Sequence, residues 1–396
     1  MKGEETLKMF NDLPLSKEEE LFVNREEELT RMANIGRFTE GSIYGMAGET
    51  GCGKTTLFNM LSLPPEVRKI VITITEKESK EAIVADLLHK LCLFVINTDI
   101  DKETSLLAGK TVEFLLQEET KAREKGVKIG KIIEGESKWA RSSKERYNIT
   151  SLKNRLRKVI SATTKISKVV LCIDEIDKEA KKDVVIILDS IKDALVFKNL
   201  SSLITLPPVM YQQYLEDRNS LFSEGNLENI LKDIIPINKM EDRDIREVLK
   251  RRIRAFPDIL PGQIMEIMIK FADGNPREAL LLCQNAILSK KIEVKYKKED
   301  FILTLNEIKN EMEKFLRFRI HNLRLTPRET EMAKAISKKE IVSRKDLLNS
   351  TYLDAPKSTR HKVVDRLIAK KVLIETESDH YRVDRRSQLF YQFFEI

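Results

Sequence analysis

A glycine-rich segment that ends in lysine and threonine constrains this chain most. Its residues are Gly48, Glu49, Thr50, Gly51, Cys52, Gly53, Lys54 and Thr55. A strand pattern ending in Ser42-Ile43-Tyr44 precedes the segment, and a helical pattern over residues 55–61 follows it. The spacing G-x-x-x-x-G-K-T between a strand and a helix is typical of a phosphate-binding loop. The segment therefore predicts a nucleotide-binding protein.

The residue types of this loop suit a triphosphate. Glycines let backbone N–H groups approach the phosphates closely. We expect Lys54 to reach the β and γ phosphates and the Thr55 hydroxyl to help hold Mg²⁺, while the positive end of the helix faces the phosphates. Thr56, in the first turn of the same helix, is included in the predicted binding segment. The predicted cofactors are ATP or ADP with Mg²⁺.

A second motif follows about 120 residues later. Residues 169–173 are apolar and predict a buried parallel strand, which ends in Asp174-Glu175. We expect Asp174 to bind Mg²⁺ or its waters and Glu175 to act as the general base that polarises the attacking water. A core strand ending in solvated acids is the alternative for either motif alone. The order of the two motifs favours nucleotide chemistry.

Strand and helix patterns alternate through the first part of the chain. Beside the phosphate loop, strands are predicted at residues 69–75 and 202–206, and helices at residues 80–95 and 181–196. Alternation with buried strands predicts an α/β fold in which a parallel sheet is covered by helices on both faces.

The pattern changes after Pro236. Residues 242–256, 261–272 and 276–288 predict three helices, and Gly274-Asn275-Pro276 predicts the end of one helix and the start of the next. This region predicts a small helical domain. Residues 299–323 predict a charged amphipathic helix that links it to a third unit.

The third unit predicts a winged helix-turn-helix. Three helices, at residues 327–336, 344–349 and 357–371, are followed by two short strands at residues 372–376 and 380–383. Helical geometry places Ser358, Lys362, Asp365 and Arg366 on one face of the third helix, with Thr359 beside it. That face is predicted to enter a major groove, and Arg382, Arg385 and Arg386 are predicted to hold backbone phosphates. Protein binding through the same unit is the alternative.

Two basic regions support a polyanionic partner. The net charge is +7; residues 324–396 carry 16 Lys and Arg against 11 Asp and Glu, and residues 121–147 carry 9 against 4. Duplex DNA is the simplest such partner, whereas lysine-rich surfaces can also serve solubility alone. We expect residues 121–147 to form an insertion in which Gly126, Gly130 and Gly135 break any long helix. Two alternatives remain for this insertion: it binds DNA, or it is a mobile charged loop.

The remaining composition predicts a cytoplasmic protein without a membrane partner. The first residues are polar, and no stretch approaches the ~18 apolar residues of a membrane span. Four cysteines lack C-x-x-C spacing, so we predict neither a disulfide nor a zinc site.

Four features follow one another along the chain: the glycine loop, the acidic strand end, the sequence Gly274-Asn275-Pro276-Arg277 and the C-terminal winged helix. In this order they resemble the features of the archaeal origin-recognition initiators within the AAA+ ATPases. The resemblance covers nearly the whole chain. It implies a slow, DNA-binding ATPase of the replication-initiator type with a helical lid. The implied domains are an AAA+ base domain at residues 1–235, the lid at residues 236–298, and a linker helix with the winged helix at residues 299–396.

The resemblance also implies roles for single residues. Arg277 matches the second sensor, which reaches from the lid onto the γ-phosphate; capping of a lid helix is its alternative. Thr205 stands at the first sensor, where asparagine is usual, which implies slow hydrolysis. Arg218 is the candidate for the arginine that acts on a neighbouring subunit, so self-association is implied. One further segment looks like the cover of the adenine base, with an asparagine where glycine is usual: Phe22, Val23, Asn24 and Arg25.

Two other functions remain open. A signal-transducing ATPase of the related archaeal STAND type would use the winged helix to bind a protein partner. A target-selection ATPase of a mobile element would share the DNA-binding chemistry.

Overall fold

The computed structural model describes residues 9–16, 19–98, 100–129, 148–178, 181–219, 227–290, 302–339, 341–349, 351–377 and 379–394. They divide into two compact units. The α/β unit contains the described parts of 14–19 and 24–238. The helical unit contains the described parts of 1–13, 20–23 and 239–396. Within the described helices, none is long and apolar enough to cross a membrane.

The α/β unit is built on a parallel five-stranded sheet with the order β2-β3-β4-β1-β5. Its strands are β1 (Ser42–Ala47), β2 (Val67–Thr73), β3 (Lys168–Asp174), β4 (Leu200–Leu206) and β5 (Asp233–Pro236). Its helices are α1 (Glu26–Phe38), α2 (Lys54–Met60), α3 (Lys80–Asn97), α4 (Lys102–Ile129), α5 (Ile149–Ile166), α6 (Lys181–Leu195) and α7 (Val209–Asn219). The predicted parallel α/β sheet with a phosphate loop is confirmed.

The central strands are buried along nearly their whole length. Every residue of β4 is buried, and in β3 only Lys168 is partly exposed. Strands covered on both faces have continuous apolar sequences rather than alternating ones. This explains why the run at residues 169–173 was recognisable in the sequence as a strand.

Two long helices were missing from the sequence prediction. Helix α4 extends to Ile129 and passes through Gly126, so the expectation that Gly126 breaks a long helix is wrong. One glycine costs a helix only about 1 kcal/mol relative to alanine, which a 28-residue helix tolerates. Helix α5 begins at Ile149 and is capped by Asn148, whose side chain accepts hydrogen bonds from the N–H groups of Thr150 and Ser151. Residues 130–147 of the predicted insertion lie outside the described residues.

The helical unit contains eight described helices and a small antiparallel sheet with the order β6-β8-β7. Its helices are α8 (Asp242–Arg252), α9 (Gly262–Ala272), α10 (Pro276–Leu288), α11 (Leu305–Leu323), α12 (Pro327–Ser337), α13 (Arg344–Leu347), α14 (Lys357–Ala369) and α15 (Arg385–Phe393). Its strands are β6 (Val342–Ser343), β7 (Leu373–Glu377) and β8 (His380–Val383).

One hydrophobic core extends through this unit. It includes Ile245 of α8, Met268 of α9, Ile308 of α11 and Leu389 of α15. Helix α15 was not predicted from the sequence. The core therefore joins regions that the sequence analysis assigned to different domains. The predicted boundaries at 235 and 298 stay predictions.

Candidate nucleotide-binding site

The glycines of the phosphate loop are required by its backbone and by its packing. Gly51 and Gly53 have positive φ angles of 86° and 101°, a region that L side chains rarely adopt. A Cβ atom on Gly48 would lie 2.7 Å from Cys52 Sγ and 2.8 Å from the Ile237 carbonyl oxygen. The loop after β1 is therefore tightly packed, and α2 begins directly behind Gly53.

Lys54 is buried and bound on three sides. Its ammonium donates to the carbonyl oxygens of Gly48 and Glu49, at 2.7 and 2.9 Å. It also forms an ion pair with Asp177, whose Oδ2 lies 2.9 Å from Lys54 Nζ. These contacts hold the lysine side chain against the loop that carries it.

Thr55 and Asp174 meet across the sheet edge. Thr55 Oγ1 donates a hydrogen bond of 2.6 Å to Asp174 Oδ2. Asp174 ends β3 and is only 2% exposed, and its Oδ1 accepts the Glu175 N–H at 2.8 Å. A hydroxyl and a carboxylate oxygen are ligands that Mg²⁺ accepts beside phosphate oxygens. The residues present therefore fit a magnesium-bound nucleotide.

Glu175 has a left-handed backbone with a φ of 73°, which is uncommon for a residue with a long side chain. The Lys77 ammonium donates to the Glu175 carbonyl oxygen at 2.6 Å and lies 3.7 Å from its Oε2. The carboxylate is about one quarter exposed. Glu175 is thus fixed next to Asp174 with its carboxylate accessible to water.

Strand β4 brings Thr205 to the same edge, because β4 lies between β1 and β3. Thr205 is paired in register with Met46 of β1 and is fully buried. Its Oγ1 donates to Asp177 Oδ1 at 3.3 Å. Asp177 was not among the residues predicted from the sequence. The only sequence signal was a third acid shortly after Asp174-Glu175, in a short 3₁₀ turn over Ile176–Lys178.

The variable positions of the loop are also fixed by packing. Burial raises the pKa of the Cys52 thiol, although the nearby charges of Lys54 and Arg25 oppose that shift. At neutral pH the thiol is therefore a protonated packing group. The Thr56 hydroxyl accepts the Leu15 N–H at 3.3 Å, which fixes the segment before residue 17 against α2.

Lys69 of β2 binds the C-terminal end of α2. Its ammonium donates to the carbonyl oxygens of Phe58, Asn59 and Leu61, at distances from 2.8 to 3.0 Å. Burial lowers the pKa of Lys69. A cation at a helix C-terminus is favourable, so this lysine stabilises the helix that carries Lys54 and Thr55.

The KAP family P-loop domain matches residues 29–331 of the sequence. The chain belongs to the KAP family. This match confirms the predicted P-loop NTPase and includes the loop at residues 48–55, Asp174, Glu175 and Thr205. The finer membership of the KAP chain among the origin-recognition initiators stays a prediction.

Solved structures resemble the KAP chain in fold. The Walker-type ATPase of Pyrococcus abyssi has a TM-score of 0.53 and 14% identity, covering 97% of this chain and 100% of that one. The RuvB Holliday junction branch migration motor of Thermotoga maritima gives 0.40 and 14%, covering 96% and 98%. A STAND protein with a tetratricopeptide repeat sensor from Pyrococcus horikoshii gives 0.33 and 14%, covering 95% and 43%. Only the first score supports a common fold. Among curated proteins, none matches the sequence.

The predicted adenine segment of the KAP chain divides between the two units. Arg25, in the α/β unit, is 7% exposed and donates to the Asn238 carbonyl oxygen at 2.6 Å while pairing with Glu28 at 2.7 Å. Asn24 has a φ of 43°, which explains why a residue tolerant of left-handed backbone stands where glycine is usual.

Phe22 and Val23, the first two residues of the predicted adenine segment, belong to the helical unit. The Phe22 carbonyl oxygen accepts from Arg251 Nη1 at 2.5 Å, and Val23 is buried in the core of that unit.

Arg277 lies in the first turn of α10. Asn275 caps this helix by accepting the Arg277 N–H at 3.1 Å. Arg277 Nε donates to Asp12 Oδ2 at 2.6 Å, and about 45% of the arginine side chain is exposed. Gly274 has a φ of 78°, and a Cβ there would lie 2.6 Å from the Met240 carbonyl oxygen. The predicted end and start of helices at Gly274-Asn275-Pro276 is therefore confirmed.

Arg218 occupies the last turn of α7 and is exposed. An exposed position is compatible with the predicted action on a neighbouring subunit.

The predicted groove face of α14 is exposed as expected. Ser358, Lys362 and Arg366 face solvent and Thr359 is half-buried, whereas Val363, Val364 and Leu367 are in the core.

The three other predicted DNA contacts are engaged within the helical unit. Arg382 Nη2 lies 3.9 Å from Asp273 Oδ1, and Arg385 pairs with Asp242. Arg386 donates to the Phe271 carbonyl oxygen at 3.0 Å, with its guanidinium over the rings of Phe271 and Phe315. Arg385 and Arg386 lie in the first turn of α15, shortly after β8.

Proposed function

We propose that the chain binds ATP and ADP with Mg²⁺ at the loop of residues 48–55 and hydrolyses ATP slowly. The hydrogen bond between Thr55 Oγ1 and Asp174 Oδ2 carries this proposal, because it joins the phosphate loop to the acidic strand end at 2.6 Å. Two motifs 119 residues apart in sequence thus share one edge of the sheet.

Each residue has a physical task in this site. The N–H groups of the glycine loop and the N-terminus of α2 stabilise the negative charge of the phosphates. Lys54 binds the β and γ phosphates through its ammonium. Mg²⁺, when bound, is held by Thr55 and Asp174 and withdraws charge from the phosphate oxygens.

Glu175 is the proposed general base. A base must lie within reach of the water from which it removes the proton, and the partly exposed carboxylate beside Asp174 meets this requirement. Thr205 offers a hydroxyl where an amide is usual in similar ATPases, which supports slow turnover.

Three further roles belong to the proposal. Arg277 is the proposed second sensor, because its guanidinium is partly exposed and already binds a carboxylate, that of Asp12. Arg218 contacts the nucleotide of a neighbouring subunit. The segment of residues 22–25 covers the adenine base. Residue type supports each role, exposure supports the roles of Arg277 and Arg218, and each role can be tested by substitution.

The C-terminal part is proposed to be a winged helix that holds duplex DNA. Helices α12, α13 and α14 with the sheet β6-β8-β7 supply the elements of that domain. The exposed face of α14 with Lys362 and Arg366 supports contact with a groove and its phosphates. Arg366 also lies 4.0 Å from a Glu329 oxygen, but its side chain is 63% exposed. Arg385 and Arg386 are less exposed and engaged within the unit, which makes them weaker candidates. Replication initiation is the proposed process.

Calorimetry tests the nucleotide site directly. Wild-type protein titrated with ATP or ADP in the presence of Mg²⁺ should release or absorb heat. Lys54→Ala should abolish that signal, since the ammonium is the main positive charge at the loop. Lys168→Ala serves as the control, because this partly exposed lysine donates only to the Arg37 carbonyl oxygen among its described contacts. Undiminished affinity in Lys54→Ala would refute the site.

A fluorescence titration tests the DNA proposal. Labelled duplex should bind at low salt and lose affinity steeply as salt rises. Absence of binding with and without ATP would remove DNA from the proposal. Salt-insensitive binding of a protein partner instead would favour a signalling ATPase.

A further inference from the structure

Asp177 connects the phosphate loop to the end of β4. Its Oδ2 lies 2.9 Å from Lys54 Nζ, and its Oδ1 accepts a hydrogen bond of 3.3 Å from Thr205. The side chains of Lys54 and Asp177 are only 6% and 7% exposed. Asp177 is thus a buried carboxylate that contacts Lys54 with one oxygen and Thr205 with the other. It is part of the site, although no motif predicted it.

The ammonium of Lys54 already uses its full donor capacity. A lysine has three N–H donors, and three oxygens accept from this one: those of Gly48, Glu49 and Asp177. A phosphate oxygen can therefore bind Lys54 only by displacing an acceptor. Asp177 is the single charged acceptor among the three.

Electrostatics identifies the acceptor that phosphate displaces. A phosphate on Lys54 brings negative charge close to the Asp177 carboxylate, and like charges in a partly buried site repel each other strongly. The two loop carbonyls carry no net charge and belong to the loop itself. The competition is therefore between phosphate and Asp177.

We propose that Asp177 is a positioning residue that holds Lys54 in the nucleotide-free protein and yields it to a bound phosphate. This inference rests on the proposed nucleotide site and adds a regulator to it. When Lys54 is released, Asp177 keeps its hydrogen bond with Thr205. Phosphate binding at the loop therefore affects the end of β4 through the Asp177 carboxylate.

Nucleotide affinity separates this role from a merely structural one. Asp177→Asn keeps the size of the side chain and an acceptor for Thr205, but removes the charge that competes with phosphate. We expect calorimetry to show ATP and ADP binding about tenfold tighter, equivalent to about 1.4 kcal/mol. Asp189→Asn is the matched control, because it changes net charge equally at an exposed ion pair with Lys192. A structural role would weaken binding in Asp177→Asn.

Thermal unfolding without nucleotide tests the ion pair itself. Asp177→Asn should melt at least about 3 °C below wild type, since Lys54 loses its charged partner. Lys54→Ala leaves Asp177 buried and unpaired, so adding Asp177→Asn to that variant should raise its melting temperature by about 3 °C or more. A double variant no more stable than Lys54→Ala overturns the inference, whether or not the single Asp177→Asn variant folds.

The outcomes distinguish the two proposals. Wild-type protein that gives no heat with nucleotide overturns the nucleotide site and this inference together. If wild type binds nucleotide and folded Asp177→Asn binds it equally well or more weakly, the nucleotide site stands and only the role of Asp177 is lost. Tighter binding with a lower melting temperature supports both.

Discussion

Replacing Gly48 by alanine tests whether packing, as well as backbone freedom, forces glycine into the phosphate loop. The added Cβ would lie 2.7 Å from Cys52 Sγ, 2.8 Å from the Ile237 carbonyl oxygen and 3.0 Å from Ile237 Cβ. Overpacking costs about 1–3 kcal/mol. The upper half of that range applies here, because one obstacle is a backbone atom next to the hydrogen bond from Ile237 N–H to the Ala47 carbonyl oxygen.

We expect Gly48→Ala to destabilise the α/β unit by about 2–3 kcal/mol. For a domain of this size, 1 kcal/mol changes the melting temperature by about 2–4 °C, so a decrease of about 4–12 °C should appear in a thermal scan without nucleotide. Calorimetry on the folded fraction should also show weaker ATP binding, because the loop must move to admit the methyl group.

Gly109→Ala is the control for this experiment. Gly109 lies in α4, and a Cβ there would meet no atom within 4 Å of the described structure. Alanine is the better helix former by about 1 kcal/mol, so this variant should be more stable than wild type. A Gly48→Ala protein that melts within 1 °C of wild type and binds ATP normally would refute the packing argument.

Three other predictions concern catalysis, DNA and acid stability. Glu175→Gln should retain ATP binding but hydrolyse it much more slowly, and unchanged turnover would remove Glu175 as the base. Replacing Lys362 and Arg366 by alanine should weaken DNA binding and make its salt dependence shallower, whereas equal slopes would exclude α14 from the interface. Burial alone would raise the pKa of Asp86, but hydrogen bonds from Lys90 and from backbone N–H groups lower it below its ordinary 3.8. The ionised Asp86 therefore stabilises the fold fully at pH values above 3.8, and this stabilisation is lost as the pH falls through the lowered pKa of the folded protein. The melting temperatures of wild type and Asp86→Asn should differ at pH 7 and converge in strong acid.

Sequence patterns predicted those parts of the molecule whose structure is determined by residues close to one another in the sequence. The glycine loop, the apolar run before Asp174 and the helix pattern of α14 each show their structure within a dozen residues. The meeting of Thr55 with Asp174 could also be predicted, because the loop that leads to Thr55 follows β1 and Asp174 ends β3, at the carboxyl edge of the same parallel sheet.

Contacts between distant residues could not be predicted from these patterns. Asp177 is notable only because its turn points it at Lys54, and Asp12 pairs with an arginine 265 residues away. Strand β5 has four residues, too few to show a period. The glycine and charges of residues 121–129 resembled a loop in the sequence and hid the end of α4. Helix α5 contains no glycine and was not predicted. Apolar residues of both helices pack with α3 in the core.

The position of β4 between β1 and β3 limits how this sheet can change during evolution. Two strand spacings, about 10 Å, separate the loop strand from the acidic strand, and the hydroxyl of Thr205 lies in that interval. Adding or deleting one residue in β4 before Thr205 would turn the hydroxyl to the opposite face. A change of two residues would restore the face but move the hydroxyl about 6–7 Å along the strand. Length variation among relatives of this chain should therefore be concentrated in the connections rather than in β4.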